Sequence, residues 1–167
     1  SMSIIRHYKA EADPRAAYLK MRRAMAGLTD EAENEDEEAA PGQISQERYA
    51  EMSAAENLIL TITAQGSGKL SSSHDYPVRG RGGMGVAAMD KAMRGGALVT
   101  SFPVELSDQI MLVTSTGQSI RVPNEGISFR SRGAGGVKVF DTGIGETVVS
   151  VAWIADQGED DEESVEG

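Results

Sequence analysis

Two stretches of the chain set arginine and glycine at one spacing: Arg79-Gly80-Arg81-Gly82-Gly83-Met84-Gly85-Val86 and Arg130-Ser131-Arg132-Gly133-Ala134-Gly135-Gly136-Val137. Arginine offers a planar, permanently charged fork that matches phosphate oxygens. Glycines at 82 and 85, kept at 133 and 136, leave backbone N–H groups uncovered and let another backbone come close. A loop of this kind suits a phosphate backbone and reads no bases, because phosphate contacts position a duplex without carrying sequence information.

Something must hold these loops, and the rest of the sequence repeats with them. Adding 51 carries Gly66 to Gly117, Lys69 to Ile120, Arg79 to Arg130, Arg81 to Arg132, Gly85 to Gly136, Asp90 to Asp141 and Phe102 to Trp153. A repeat of this length containing several short strands predicts blades of a propeller-like all-β architecture. Leu58 to Thr63 reads as a first strand, Gln65-Gly66 and Thr116-Gly117 as turns requiring positive φ, and Lys69 to Ser73 and Gln118 to Val122 as return strands. Met84 to Met89 and Gly136 to Phe140 are predicted as inner edges, and Ala97 to Phe102 and Val148 to Trp153 as closing strands. Phe102 and Trp153 are expected to be equivalent core anchors.

The order strand, glycine turn, strand, R-x-R-G-x-x-G-V, strand, strand resembles the C-terminal DNA-wrapping domain found in the A subunit of DNA gyrase, a β-pinwheel of four-stranded antiparallel blades. The segments from Asp108 to Thr114 and from Gly117 to Val122 carry the same likeness. The resemblance spans about residues 57 to 155 and implies a domain without catalytic residues that binds and wraps duplex DNA. It implies contacts from Arg79, Arg81, Gly82, Gly83 and Gly85, from Arg130, Arg132, Gly133 and Gly136 in a degenerate copy, and from the basic neighbours Lys69, Arg121 and Lys138. The parent would be a bacterial cytoplasmic, nucleoid-associated type II topoisomerase that introduces negative supercoils. Its partners would be the remainder of gyrase A, together with gyrase B, in a heterotetramer, with ATP and Mg2+ used in other domains and no cofactor here. The family's strict motif ends Gly-Gly-Lys-Gly, whereas position 84 is Met and position 135 is Gly; the strict copy is expected upstream. The corresponding C-terminal domain of topoisomerase IV is the nearest alternative. A propeller used for protein interaction, with purely structural Arg/Gly loops, is the alternative from another class.

Net charge is −10, which suits a duplex binder only once it is divided. Residues 1–56 carry −5, residues 57–155 carry +2 and residues 156–167 carry −7, so the repeats are basic and the flanks acidic. Blocks of like charge behave as solvated tails. The tail is expected either to solubilise or to compete with duplex for the basic rim. The chain has no cysteine, which excludes disulfides and thiolate metal sites, and no apolar run long enough for a membrane span.

The expected organisation is a last strand of a preceding blade over 1–9, a helical insertion over 10–56 with an acidic disordered linker near 29–43, repeats over 57–107 and 108–155, and a disordered tail over 156–167. Ser1-Met2 reads as an expression scar ahead of mid-protein sequence. The first helix is expected to start at Asp13 as N-cap with Pro14 first in the helix, to bury Tyr18, Met21, Met25 and Leu28, and to stop at Gly27. Ser45 caps a second helix running to about Met52.

Other chemistries find less support. Gly80, Gly82 and Gly85 satisfy G-x-G-x-x-G, but a strand and not a helix is predicted next, and Ser131 breaks the second copy. His7 and His74 lie in different units, His74 beside Asp75 reads as a polar turn pair, and no catalytic triad, metal-ligand or phosphate-loop signature is present.

Overall fold

A computed structural model describes residues 2–5, 8–27, 43–90 and 96–156. The expected acidic linker and tail therefore lie almost wholly outside the described residues, as does Leu28. Among the described residues two α-helices precede seven strands: α1 (Ala12–Met25), α2 (Gln46–Ala55), β1 (Leu58–Thr63), β2 (Ser67–Ser72), β3 (Leu98–Val104), β4 (Gln109–Thr114), β5 (Ser119–Pro123), β6 (Val137–Lys138) and β7 (Val148–Ile154). The strands form one sheet in the order β3-β1-β2-β6 and a second in the order β5-β4-β7. Named strand pairs are antiparallel.

The β1–β2 and β4–β5 hairpins share one register, since Thr61 pairs with Lys69 as Leu112 pairs with Ile120. Gly66 (φ 82°) and Gly117 (φ 86°) make the two turns, a conformation that costs a Cβ-bearing residue steric energy. The two sheets enclose one core of Leu60, Ile62, Leu70 and Val104 from the first, Ile110, Leu112 and Val148 from the second, and Ile127 between them. Alternation along β1 and β4 puts these side chains on facing surfaces.

Three expectations change here. First, sequence repeats and sheets do not coincide. Val137 and Lys138, from the second repeat, pair with Gly68 and Ser67 of the first, and Arg130 N donates to Leu70 O at 2.7 Å while Leu70 N donates to Ser128 O at 3.0 Å. The first sheet gains its fourth strand in this way. Met84–Met89 forms no strand, and the second sheet has three strands among the described residues.

Second, Phe102 and Trp153 are not equivalent. Phe102 opposes Leu60, but Met111, the counterpart of Leu60, opposes Ala152. The second repeat is one residue shorter ahead of its last strand, so Trp153 takes the place of Pro103. Phe102 packs against the core, whereas Trp153 is 55% exposed. Its indole N–H donates to Asp108 Oδ2 at 2.7 Å, and Asp108 also accepts from the amides of Glu105 and Asp156, each at 3.0 Å.

Third, the N-terminal residues 2–5 form no strand and are exposed, and no strand among the described residues pairs with them. α1 begins two residues earlier than expected, with Glu11 at the N-cap making no side-chain cap bond. It buries Ala17, Tyr18 and Leu19, while Met25 is exposed. Gly27 at φ 71° ends it. Ser45 caps α2 through Arg48 N, as its type predicts, and the helix runs to Ala55. Tyr18, Leu19 and Met52 form a second small core, joined to the first sheet where His74 Nε2 lies 2.7 Å from Met52 O.

A Cβ at Gly66 would lie 2.3 Å from Phe140 O, whereas one at Gly117 meets nothing within 4 Å. Gly117→Ala should then cost only the left-handed penalty, about 1–2 kcal/mol, and Gly66→Ala at least about 2 kcal/mol more, read by urea unfolding; equal costs would contradict the swapped strand. Burial raises the Asp108 carboxyl, but the Trp153 indole and the amides of Asp156 and Glu105 outweigh it and hold it below its ordinary value. Its contribution is therefore complete above the unfolded value of about 4 and is lost as pH falls through the lower, folded one. Asp108→Asn should destabilise at pH 7, with the gap to the unchanged chain closing on acidification, as followed by the fluorescence of Trp153, the only tryptophan in the chain.

Candidate nucleic-acid interface

The two Arg/Gly loops share a local turn, since Gly83 N donates to Gly80 O as Ala134 N donates to Ser131 O. Beyond that they differ. Residues 78–85 are exposed, and Gly82 (φ 79°) and Gly85 (φ 75°) use the left-handed region open to glycine. Gly136 has no positive φ; a Cβ there would lie 3.0 Å from Gly68 N, so this glycine is needed for close approach to β2. The same letter thus answers two different constraints.

The second loop arches over Lys69. Its chain touches the edge of β2 at Leu70, leaves it over residues 131–136, and returns at Gly68. Lys69 is fully buried, and its Nζ donates to the carbonyls of Ser131 (2.8 Å), Arg132 (2.5 Å) and Ala134 (2.7 Å). An ammonium has three donors and no acceptor capacity, so all three are used. This corrects the expectation that Lys69 contacts a duplex: it has no exposed surface and no donor to spare. Burial, with Arg132 and Arg130 adding to it against the attraction of Asp75 and Asp90, pulls the Lys69 ammonium down to about 8.

Arg132 is likewise turned toward the protein. Its amide donates to Asp75 Oδ2 at 2.7 Å, its Nε to Asp75 O at 2.9 Å and its Nη1 to Ala87 O at 2.5 Å. The side chain is 22% exposed. Asp75, read in the sequence as half of a turn pair with His74, instead serves as the anchor of the loop while His74 reaches α2. Burial pushes the Asp75 carboxyl up, against the pull of the Arg132 amide and guanidinium and of Arg23 and Lys69. The periodicity of the sequence held no signal for this contact, which joins residues 57 apart.

The remaining cations divide. Arg130 is half-buried, with its Nε buried and lacking a partner among the described residues. The ring of the preceding Phe129 carries the Arg22 guanidinium of α1 at 4.6 Å, and Arg22 also pairs with Glu56 at 3.2 Å. Arg121 is exposed on β5, at the open edge of the second sheet. Lys138 is exposed and paired with Asp141. Arg79 and Arg81 are exposed and make no hydrogen bond or ion pair among the described residues. The structure therefore gathers Lys69, Arg130 and Arg132 around one loop and leaves Arg79, Arg81 and Arg121 facing solvent. No group of three or more histidine, aspartate or glutamate side chains among the described residues could hold a metal ion, and no described helix is long and apolar enough to cross a membrane.

This division predicts unequal costs. Arg132→Ala should destabilise by about 1–3 kcal/mol, since it strands partners of a half-buried hydrogen-bonded charge, whereas Arg79→Ala and Arg81→Ala should stay within about 0.5 kcal/mol. Urea unfolding of the three variants measures this, and comparable losses would contradict the assignment.

Comparison with known proteins agrees with this architecture. The profile of the family described as DNA gyrase C-terminal domain, beta-propeller, matches residues 57–104 and 108–152. The A subunit of DNA gyrase from Granulibacter bethesdensis (strain ATCC BAA-1260 / CGDNIH1) is 40% identical over 163 residues, which is 90% of this chain and 17% of that protein. The chain thus spans less than a fifth of that relative's length. A solved DNA gyrase A C-terminal domain superposes with a TM-score of 0.56 at 23% identity, over 60% of this chain and 34% of the other. The C-terminal domain of DNA topoisomerase IV does so at 0.52 and 23%, over 58% and 30%. With the glycine turns and nearly all of both sheets inside the matched residues, this chain belongs to the DNA gyrase C-terminal domain family.

Proposed function

We propose that this chain binds duplex DNA through sequence-independent phosphate contacts and helps to wrap it, as part of the A subunit of a DNA gyrase. The observation that carries this reading is the exposed Arg79–Arg81 pair, unpaired among the described residues, on a loop hinged at two positive-φ glycines. Exposed guanidinium groups can exchange counterions for phosphate, and each contact releases ions from the duplex. Bending a short duplex costs on the order of 1–6 kcal/mol, which such contacts offset.

In the parent enzyme, negative supercoiling would draw on ATP and Mg2+ held in other domains, with the remainder of gyrase A and with gyrase B as partners in the bacterial cytoplasm. Arg79, Arg81 and Arg121 are the primary contacts in this reading, with Gly82, Gly83 and Gly85 shaping the first loop. Arg130, Arg132, Gly133 and Gly136 belong to a second, more tightly braced loop. Membership of a topoisomerase IV is the second reading, favoured by the likeness to that enzyme's C-terminal domain.

A salt series of fluorescence anisotropy measurements on a labelled duplex tests the proposal. Log affinity should fall against log salt by roughly 0.9 for each phosphate contacted, and the Arg79→Ala, Arg81→Ala double variant should flatten that slope by about 1.8. A chain whose duplex affinity is absent or insensitive to salt would favour a protein-interaction module instead.

A further inference from the structure

The buried Lys69 ammonium has a consequence for the surface above it. We propose that Lys69 is a positioning residue for duplex binding: by drawing the carbonyls of Ser131, Arg132 and Ala134 inward, it turns the Gly133 amide outward as a phosphate donor. The proposal rests on the DNA-binding reading above and deepens it.

Peptide geometry sets the direction of these amides. In a planar trans peptide the N–H points opposite to the C=O of the same unit, and no described peptide bond is cis. Three carbonyls converging on Nζ therefore send the N–H groups of Arg132, Gly133 and Gly135 away from it. The Arg132 amide is taken by Asp75 at 2.7 Å, and Gly135 is buried. The Gly133 amide has no hydrogen-bond partner among the described residues, and Gly133 is only partly buried. With no side chain at 133 to screen it, an anionic oxygen can approach closely. Arg130 flanks the same loop and Arg132 anchors it, so the local charge favours an anion.

The repeat supplies an internal contrast. Ile120 stands where Lys69 would fall in the second sheet, and among the described residues the outer edge of β5 carries no loop of this kind. A lysine at this strand position occurs where a loop crosses the edge, and an aliphatic residue where none does. Lys69 thus acts from inside on a surface it does not reach, which separates it from Arg79 and Arg81.

The test uses the whole chain and an unlabelled random-sequence duplex, at low salt and well below the melting temperature. In 15N-labelled unchanged chain, the Gly133 amide resonance should shift on duplex addition; a resonance that stays fixed while the chain binds overturns the proposal. Lys69→Met should weaken duplex binding about tenfold, as loss of one charge-assisted hydrogen bond implies, and should abolish the Gly133 shift while leaving shifts near Arg79 and Arg81. A folded Lys69→Met chain with unchanged affinity and an unchanged Gly133 shift overturns it too. Should Lys69→Met not fold, the resonance of the unchanged chain decides alone. Absence of any duplex binding by the unchanged chain would instead overturn the DNA-binding reading, and this inference with it.

Discussion

A single ammonium group holds together what the repeat keeps apart. Lys69 leaves β2 of the first repeat and ends under three carbonyls that lie 62 to 65 residues further along the chain. A buried cation is costly unless every donor finds an acceptor, and here each does. The consequence is mutual: the loop gives the lysine its only acceptable environment, and the lysine fixes where the loop crosses the sheet. The swapped pairing of Val137 and Lys138 and the packing of Gly136 on Gly68 follow from that crossing.

This constraint explains why two loops of similar composition behave differently. The second is seated on a sheet edge, with Lys69 beneath it and Asp75 and Ala87 holding Arg132. The first makes no such contacts among the described residues, and its arginines stay in solvent. Rigid placement and free charge are thus assigned to different copies of one motif. The helical pair adds to the rigid side, since Arg22 of α1 stacks on Phe129 immediately before the second loop. That gives the insertion a structural connection to the loop, made through a cation–π contact whose strength grows as water is excluded.

Much of the sheet architecture was legible in the sequence because its signals are local. Glycine turns at 66 and 117, β-branched runs and a repeat near fifty residues place the two hairpins and their register. The likeness to a known family agreed with those signals. What was not legible depends on contacts between repeats. A lysine in the strand Ser67–Ser72 reads as the solvent side of a sheet, because nothing near it in the chain reveals that residues of the next repeat will cover it. Arg130 and Arg132 read as surface cations for the same reason. Trp153 departs from its expected place through a different cause: the constant offset of 51 made it the counterpart of Phe102, while a one-residue shortening in the preceding loop moved the tryptophan to the neighbouring position.

The most direct test of the account is the chemical accessibility of Lys69 in the native chain. Under amine acylation read by mass spectrometry, Lys69 should remain unmodified while exposed Lys138 is labelled, and should react only after unfolding. Labelling of Lys69 at the rate of Lys138 in the folded chain would show that the lysine lies at the surface, and the seating of the second loop described above would then be wrong.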